Sequence, residues 1–159
     1  MARHTALLTP GARHVDTELD EIDRRILREL ESDGRLSGRA LAERVTISRA
    51  NAYARFERLV ADGVITGFTA RVDPLKVGLT TSAYVAMTVR QNSWRDLQAA
   101  LRAIPEVRHM ALVGGEFDVM LLVRAEDNNA LRRVVLEQLQ TIPGVLSTKT
   151  FLIFEDAEN

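Results

Sequence analysis

Hydrophobic spacing changes character at Asp73-Pro74. Before that point apolar residues recur three and four apart; from Thr81 onward they gather into short runs broken by Gly and Pro. A chain with two such periods does not build one uniform layer. We therefore expect a helical unit over residues 16–73, a linker at 74–80 and a sheet-based unit over 81–156. Residues 1–15 have no clear period and are expected to form a mobile tail. A length of 159 residues suits one ordinary domain or two small ones.

Composition narrows the class. Hydrophobic residues make up 46% and charged residues 27%, which excludes wholesale disorder. Charges interrupt every apolar run well before 18 residues, so no membrane span is expected. Residues 1–15 lack a long apolar core and a small-residue cleavage site, so no secretory signal is expected either. The absence of cysteine removes disulfides, thiol nucleophiles and thiolate metal sites, and agrees with a reducing, cytoplasmic setting. No cofactor, metal site or catalytic residue is expected: no Ser-His-Asp set, metal cluster or phosphate loop is visible, and the histidines are His4, His14 and His109.

The net charge of −1 hides an asymmetry. Residues 16–33 hold eight acids against Arg24, Arg25 and Arg28, whereas residues 35–71 hold seven arginines against Glu43, Glu57 and Asp62. Within this stretch three helices are expected. The first carries Leu19, Ile22, Ile26, Leu27 and Leu30 on one stripe and stops at Asp33-Gly34. The second is about two turns long, capped by Ser37 and burying Leu41, Ala42 and Val45. The third is capped by Ser48 and ends at Gly63, with Ala52, Phe56, Leu59 and Val60 on its apolar face. Two short helices joined by a tight turn after a longer one form a helix-turn-helix pattern. In such a unit the last helix enters the major groove of double-stranded DNA. Ser48, Arg49 and Asn51 lie where base edges would be met, since Arg pairs bidentately with guanine and Asn with adenine. Arg55 and Arg58 lie further along, where phosphates pass. The same arginines would also suit a plain solvated helix face. Residues 64–72, two extended runs around Thr66-Gly67, are expected to form a hairpin or wing.

The second half follows the order β-α-β-β-α-β, with a helix capped by Ser93 and another capped by Asn128 or Asn129. Ile104-Pro105-Glu106-Val107 recurs as Ile142-Pro143-Gly144-Val145, 38 residues later, each time between helix and strand. Two split βαβ units of this kind make a ferredoxin-like sandwich, so the whole chain is α+β. Two helices cannot cover Tyr84, Val85, Met87, Met110, Leu112, Met120, Leu122, Phe151 and Ile153 together. The uncovered sheet face is expected to bury itself in a twofold homodimer. In Gly114-Gly115-Glu116-Phe117-Asp118, glycine amides could approach an anion while two carboxylates take an ammonium, which suits a free amino acid. A plain hydrophilic turn has the same spacing.

These residues, taken in order, resemble the Lrp/AsnC (leucine-responsive, feast/famine) transcription regulators over about residues 18–156. The resemblance rests on Leu19-Asp20-Glu21-Ile22-Asp23-Arg24-Arg25-Ile26-Leu27, on Leu41-Ala42 and Ser48 to Arg55, on Gly67-Phe68-Thr69-Ala70 to Asp73-Pro74, and on Gly115-Glu116-Phe117-Asp118. It implies a winged helix-turn-helix and a regulation-of-amino-acid-metabolism (RAM) domain. It further implies dimers that often assemble into a tetramer of dimers, and an amino-acid effector at Gly114, Gly115, Glu116 and Asp118. Thr46 stands where the family usually has Gly, and Glu116 where Asp is commoner. Two other readings stay open at this stage: a ligand-independent architectural DNA binder, and an enzyme resembling the sirohaem decarboxylases.

Overall fold

A computed structural model describes residues 18–90 and 94–156. The chain divides into two compact units between Ala70 and Arg71. Among the described residues, no helix is long and apolar enough to cross a membrane.

The first unit contains helices α1 (Glu21–Ser32), α2 (Gly38–Val45) and α3 (Arg49–Ala61). Each begins at a short polar residue whose side chain accepts an otherwise orphaned amide. Asp20 caps α1 in a reciprocal box: the Asp23 amide donates to Asp20 Oδ1 at 2.8 Å and the Asp20 amide to Asp23 Oδ2 at 3.2 Å. Ser37 and Ser48 accept from the amides of Ala40 and Asn51. The three helices close on Ile26, Leu41, Val45 and Leu59, with Ile22, Leu30 and Val64 at the margin. Ala52 is buried as expected, but Val60 is 45% exposed, because it lies on the flank of α3 away from α1 and α2.

The turn between α2 and α3 passes through Thr46, with φ 62° and ψ 47°. Its amide still reaches the Ala42 and Glu43 carbonyls, so the left-handed conformation closes α2 properly. A β-branched residue is strained there, where glycine is not.

The expected hairpin at 64–72 does not form. The segment contains no paired strand. It is held instead by the Ile65 amide on the Leu59 carbonyl at 3.0 Å and by Phe68, whose ring lies 6.1 Å from that of Phe56. Val64 and Ile65 pack on the helical core, while Phe68 and Val72 stay more than half exposed.

The second unit has strands β1 (Thr81–Val89), β2 (Val107–Leu112), β3 (Val119–Ala125) and β4 (Val145–Ile153), with helices α4 (Trp94–Arg102) and α5 (Asn128–Arg133). The sheet is antiparallel, in the order β2-β3-β1-β4. This is the expected ferredoxin-like topology. Helix α5 continues into a wider π turn over Val134–Leu139, closed by the Gln140 amide on the Val135 carbonyl. Its N-cap is Asp127, whose carboxylate accepts the Ala130 amide at 2.7 Å; the expected Asn128 or Asn129 lies inside the helix. The expected Ser93 cap of α4 falls outside the described residues.

Register decides which side chains are covered. Val85 pairs with Leu121 and Met87 with Val119, and all four are buried among the helices. Tyr84 pairs with both Leu122 and Phe151, Ala86 with Met120, and Ser82 with Ile153, all on the opposite face. The apolar set that two helices were not expected to cover together is thus divided between the two faces. Val85 and Met87 alternate away from the uncovered face, and a register shift between Val107 and His109 turns Met110 toward Leu121 and the helices.

Replacing Thr46 with glycine is expected to stabilise the helical unit by about 0.5–1 kcal/mol, the relief of strain being partly offset by chain entropy. A urea titration following the loss of helical circular dichroism checks the sign; a lower midpoint would show that Thr46 sits there without strain.

Candidate nucleic-acid interface and effector loop

The centre of the first unit is a buried acid. Asp23, on α1, has 0% of its surface exposed. Arg55 Nη1 donates to its Oδ1 at 2.8 Å, and Arg58 Nη2 to its Oδ2 at 2.6 Å. Arg55 Nη1 also reaches Asp20 Oδ2 at 2.7 Å, and Arg55 Nε donates to Asn51 Oδ1 at 3.0 Å. The geometry arises from matched spacing: the α1 cap Asp20 and Asp23, three residues apart, face two arginines three residues apart on α3. Charge-assisted hydrogen bonds of this length are strong, and each lone pair taken offsets part of the carboxylate's desolvation. The Asp20 carboxyl is held below its ordinary value, first by the Asp23 amide and then by the Arg55 guanidinium, while Arg55 is raised by both acids.

This arrangement redistributes the expected DNA contacts. Ser48, Arg49 and Asn51 stand in the first turn of α3 and are exposed. The Ser48 hydroxyl is engaged as the helix cap and the Asn51 amide oxygen by Arg55. Arg55, with 21% of its side chain exposed, is drawn inward. Both expected phosphate contacts also touch Asp23: Arg55 through Nη1, and Arg58 through Nη2 with 44% of its side chain still exposed. Other arginines of the unit differ in how far they are engaged. Arg28, Arg39 and Arg44 form surface pairs with Glu21, Glu43 and Glu29, whereas Arg24, Arg35 and Arg49 have no ion pair among the described residues. Arg35 lies just before the α2 N-terminus, a position that the sequence pattern did not single out.

In the second unit, Gly114, Gly115 and Glu116 are exposed between β2 and β3. The far end of this loop is clamped. The Asp118 amide donates to the Met87 carbonyl at 3.0 Å, and Asp118 Oδ2 accepts the Val89 amide at 2.8 Å. Asp118 thus fastens the loop to β1 through Oδ2. Gly115 has φ 135°, a conformation that favours glycine. Gly114 is different: it has no such φ, and a Cβ built there meets nothing within 4 Å. Nearby, Lys149 Nζ lies 5.9 Å from the Phe117 ring and 5.4 Å from the Phe151 ring, tying the loop's base to the uncovered sheet face. His109 is exposed on β2.

The comparisons with known proteins match this division. The winged helix-turn-helix DNA-binding profile matches residues 19–66, and the Lrp/AsnC ligand binding domain profile matches residues 82–158. The proline dehydrogenase transcriptional activator of Rhizobium radiobacter is 34% identical, covering 91% of this chain and 95% of its own. The leucine-responsive regulatory protein of Escherichia coli K12 is 33% identical, covering 89% and 88%. Among solved structures, a transcriptional regulator from Neisseria meningitidis in complex with L-Met superposes with a TM-score of 0.83 at 29% identity, covering 89% of this chain and 93% of that one.

Two outcomes follow from the buried acid. Asp23→Ala should cost the helical unit about 3–5 kcal/mol, because it strands two guanidinium groups; equilibrium unfolding in urea measures it. Asp20 has a depressed folded-state value, so its contribution is complete above the unfolded value near about pH 4 and fades as pH falls through the folded one. Asp20→Asn keeps a good cap, and should narrow the gap between urea midpoints at pH 6 and pH 3 relative to the parent. An unchanged gap would mean that the Asp20–Arg55 pair contributes nothing.

Proposed function

We propose, for a chain that belongs to the Lrp/AsnC family of DNA-binding transcriptional regulators with an effector-binding domain, that α3 reads its operator through Arg49 and Asn51 while an amino acid at the Gly114–Glu116 loop adjusts assembly. The observation that carries the DNA half is the outward first turn of α3. Ser48 fixes its start, and Arg49 projects from it without an internal carboxylate. Its long, unpaired guanidinium suits the paired acceptors of guanine. Arg35 and Arg24 supply positive charge for phosphate, which positions the helix without reading sequence.

The loop supports the second half. Gly114 is small where nothing in its own protomer requires it to be, leaving backbone amides open to a carboxylate. Glu116 is exposed beside it and can take an ammonium. The Neisseria relative's L-Met complex agrees with this chemistry. Asp118 serves as the fastener that holds the loop in shape.

The uncovered face of the sheet supports self-association. Tyr84 and Phe151 are 45% and 42% exposed and stand side by side with Met120, Leu122 and Ile153. A contiguous apolar patch of this kind is buried most simply across a twofold axis. Dimers so formed can assemble further into a tetramer of dimers. An effector between copies then acts by unequal affinity for the assembled states, and a coupling of about 1–3 kcal/mol shifts DNA affinity by about 5–150-fold.

The decisive experiment selects preferred duplexes from a random pool with the full chain, with and without each amino acid. A defined motif whose enrichment changes with one amino acid is expected. A defined motif unaffected by all twenty would leave an architectural DNA binder, and no enrichment would end the DNA half. Gly114→Ala should leave unfolding within about 0.5 kcal/mol of the parent while reducing the thermal shift given by the effector. Leu122→Asp, at the middle of the apolar face, should lower the sedimentation mass to that of one chain.

A further inference from the structure

Asn51, like the capping Ser48, is a candidate base reader whose side chain the fold already holds. Its partner is Arg55 Nε, at 3.0 Å. Guanidinium nitrogen only donates, so the amide atom facing it is the oxygen. This settles the orientation that an amide otherwise leaves open. Arg55 is itself fixed at the other end, by Asp23 Oδ1 at 2.8 Å and Asp20 Oδ2 at 2.7 Å, with Asp23 fully buried. Three of the five guanidinium donors are thereby spent within the unit.

We propose that Asp23, with Asp20, acts through Arg55 as a positioning group that presents Asn51 to DNA as a hydrogen-bond donor. The proposal rests on α3 being the reading helix. An unconstrained Asn pairs with adenine by accepting from N6 and donating to N7. Here the oxygen is turned toward Arg55, which takes one of its two lone pairs, so the outward NH2 leads and acceptance from adenine N6 is weakened. Asn51 therefore favours an edge rich in acceptors, guanine N7 and O6 or thymine O4, over adenine. The acids on α1 never touch DNA, yet they set which base α3 prefers. Arg58 closes the second oxygen of Asp23 at 2.6 Å and keeps that acid from turning.

The test uses the full chain and a motif selected from a random pool. Asn51→Ala identifies the base pair that Asn51 reads, as the position where preference collapses by about tenfold. The parent is expected to favour guanine or thymine there. Arg55→Lys keeps the charge but loses the fork, and should move that position toward adenine. Arg55→Gln should do the same without changing the salt dependence of binding. Combining Arg55→Lys with Asn51→Ala should add nothing at that position beyond Asn51→Ala alone.

If Arg55 instead held a phosphate, Arg55→Gln would lower the salt slope by about one and leave base preference intact, which overturns the proposal. So would adenine at the parent's position, unchanged preference in Arg55→Lys, or no preference lost in Asn51→Ala. Circular dichroism establishes that each variant is folded. Should the Arg55 variants not fold, Asp20→Asn, which retains the cap, decides: a weakened guanine or thymine preference supports the relay and an unaltered one overturns it. A parent that selects no duplex at all is a separate failure, that of the DNA-binding reading itself.

Discussion

A carboxylate with no water around it must be answered by donors, and Asp23 is answered by two arginines from another helix. That requirement organises the first unit. The apolar residues Ile26, Leu41, Val45 and Leu59 bring the helices together but do not by themselves fix their rotation. The ion cluster does, because Arg55 and Arg58 reach Asp23 only when one face of α3 is turned to α1. A buried pair of this kind is weak as a source of net stability and strong as a constraint, since leaving either side unanswered is costly. The opposite face of α3 is then left outward, with Arg49 in its first turn.

The second unit obeys a different constraint. A four-stranded sheet has two faces, and α4 and α5 cover one. The period of two along each strand puts Val85, Leu121 and Val123 under the helices and Tyr84, Leu122 and Phe151 on the far side. The same ladder delivers Asp118 to the Val89 amide, so the loop before it is anchored by backbone geometry while Gly114 to Glu116 stay open. Lys149, stretched over Phe117 and Phe151, places a cation between that loop and the uncovered face. The Gly114–Glu116 loop and the apolar face are thus neighbours on one sheet.

Much of this was legible in the residues. Ser37 and Ser48 marked helix starts, the two Ile-Pro-x-Val turns marked the repeat, and the strand order followed from the β-α-β-β-α-β pattern together with the resemblance to Lrp/AsnC regulators. Three features were not. Residues 64–72 have the composition of a hairpin, but Phe68 goes to Phe56 and no ladder forms. Asp127 outcompetes the two asparagines after it as a cap, a choice that depends on where β3 ends. Asp20 and Asp23 look like ordinary acids at a helix start, and their role depends on a helix more than thirty residues away.

The sequence by itself determined the elements, their order and the split into a helical and a sheet unit, because caps, turns and hydrophobic period are local and act within a few residues. It also marked Arg49 and the Gly114–Glu116 loop, whose chemistry is carried by residue type. Only the tertiary structure decided which arginines are spent internally, which side of each strand is covered, and that Asp118 fastens its loop. Those outcomes depend on register and on partners distant along the chain, where a shift of one residue reverses a face and a carboxylate thirty positions away claims a guanidinium that would otherwise face solvent.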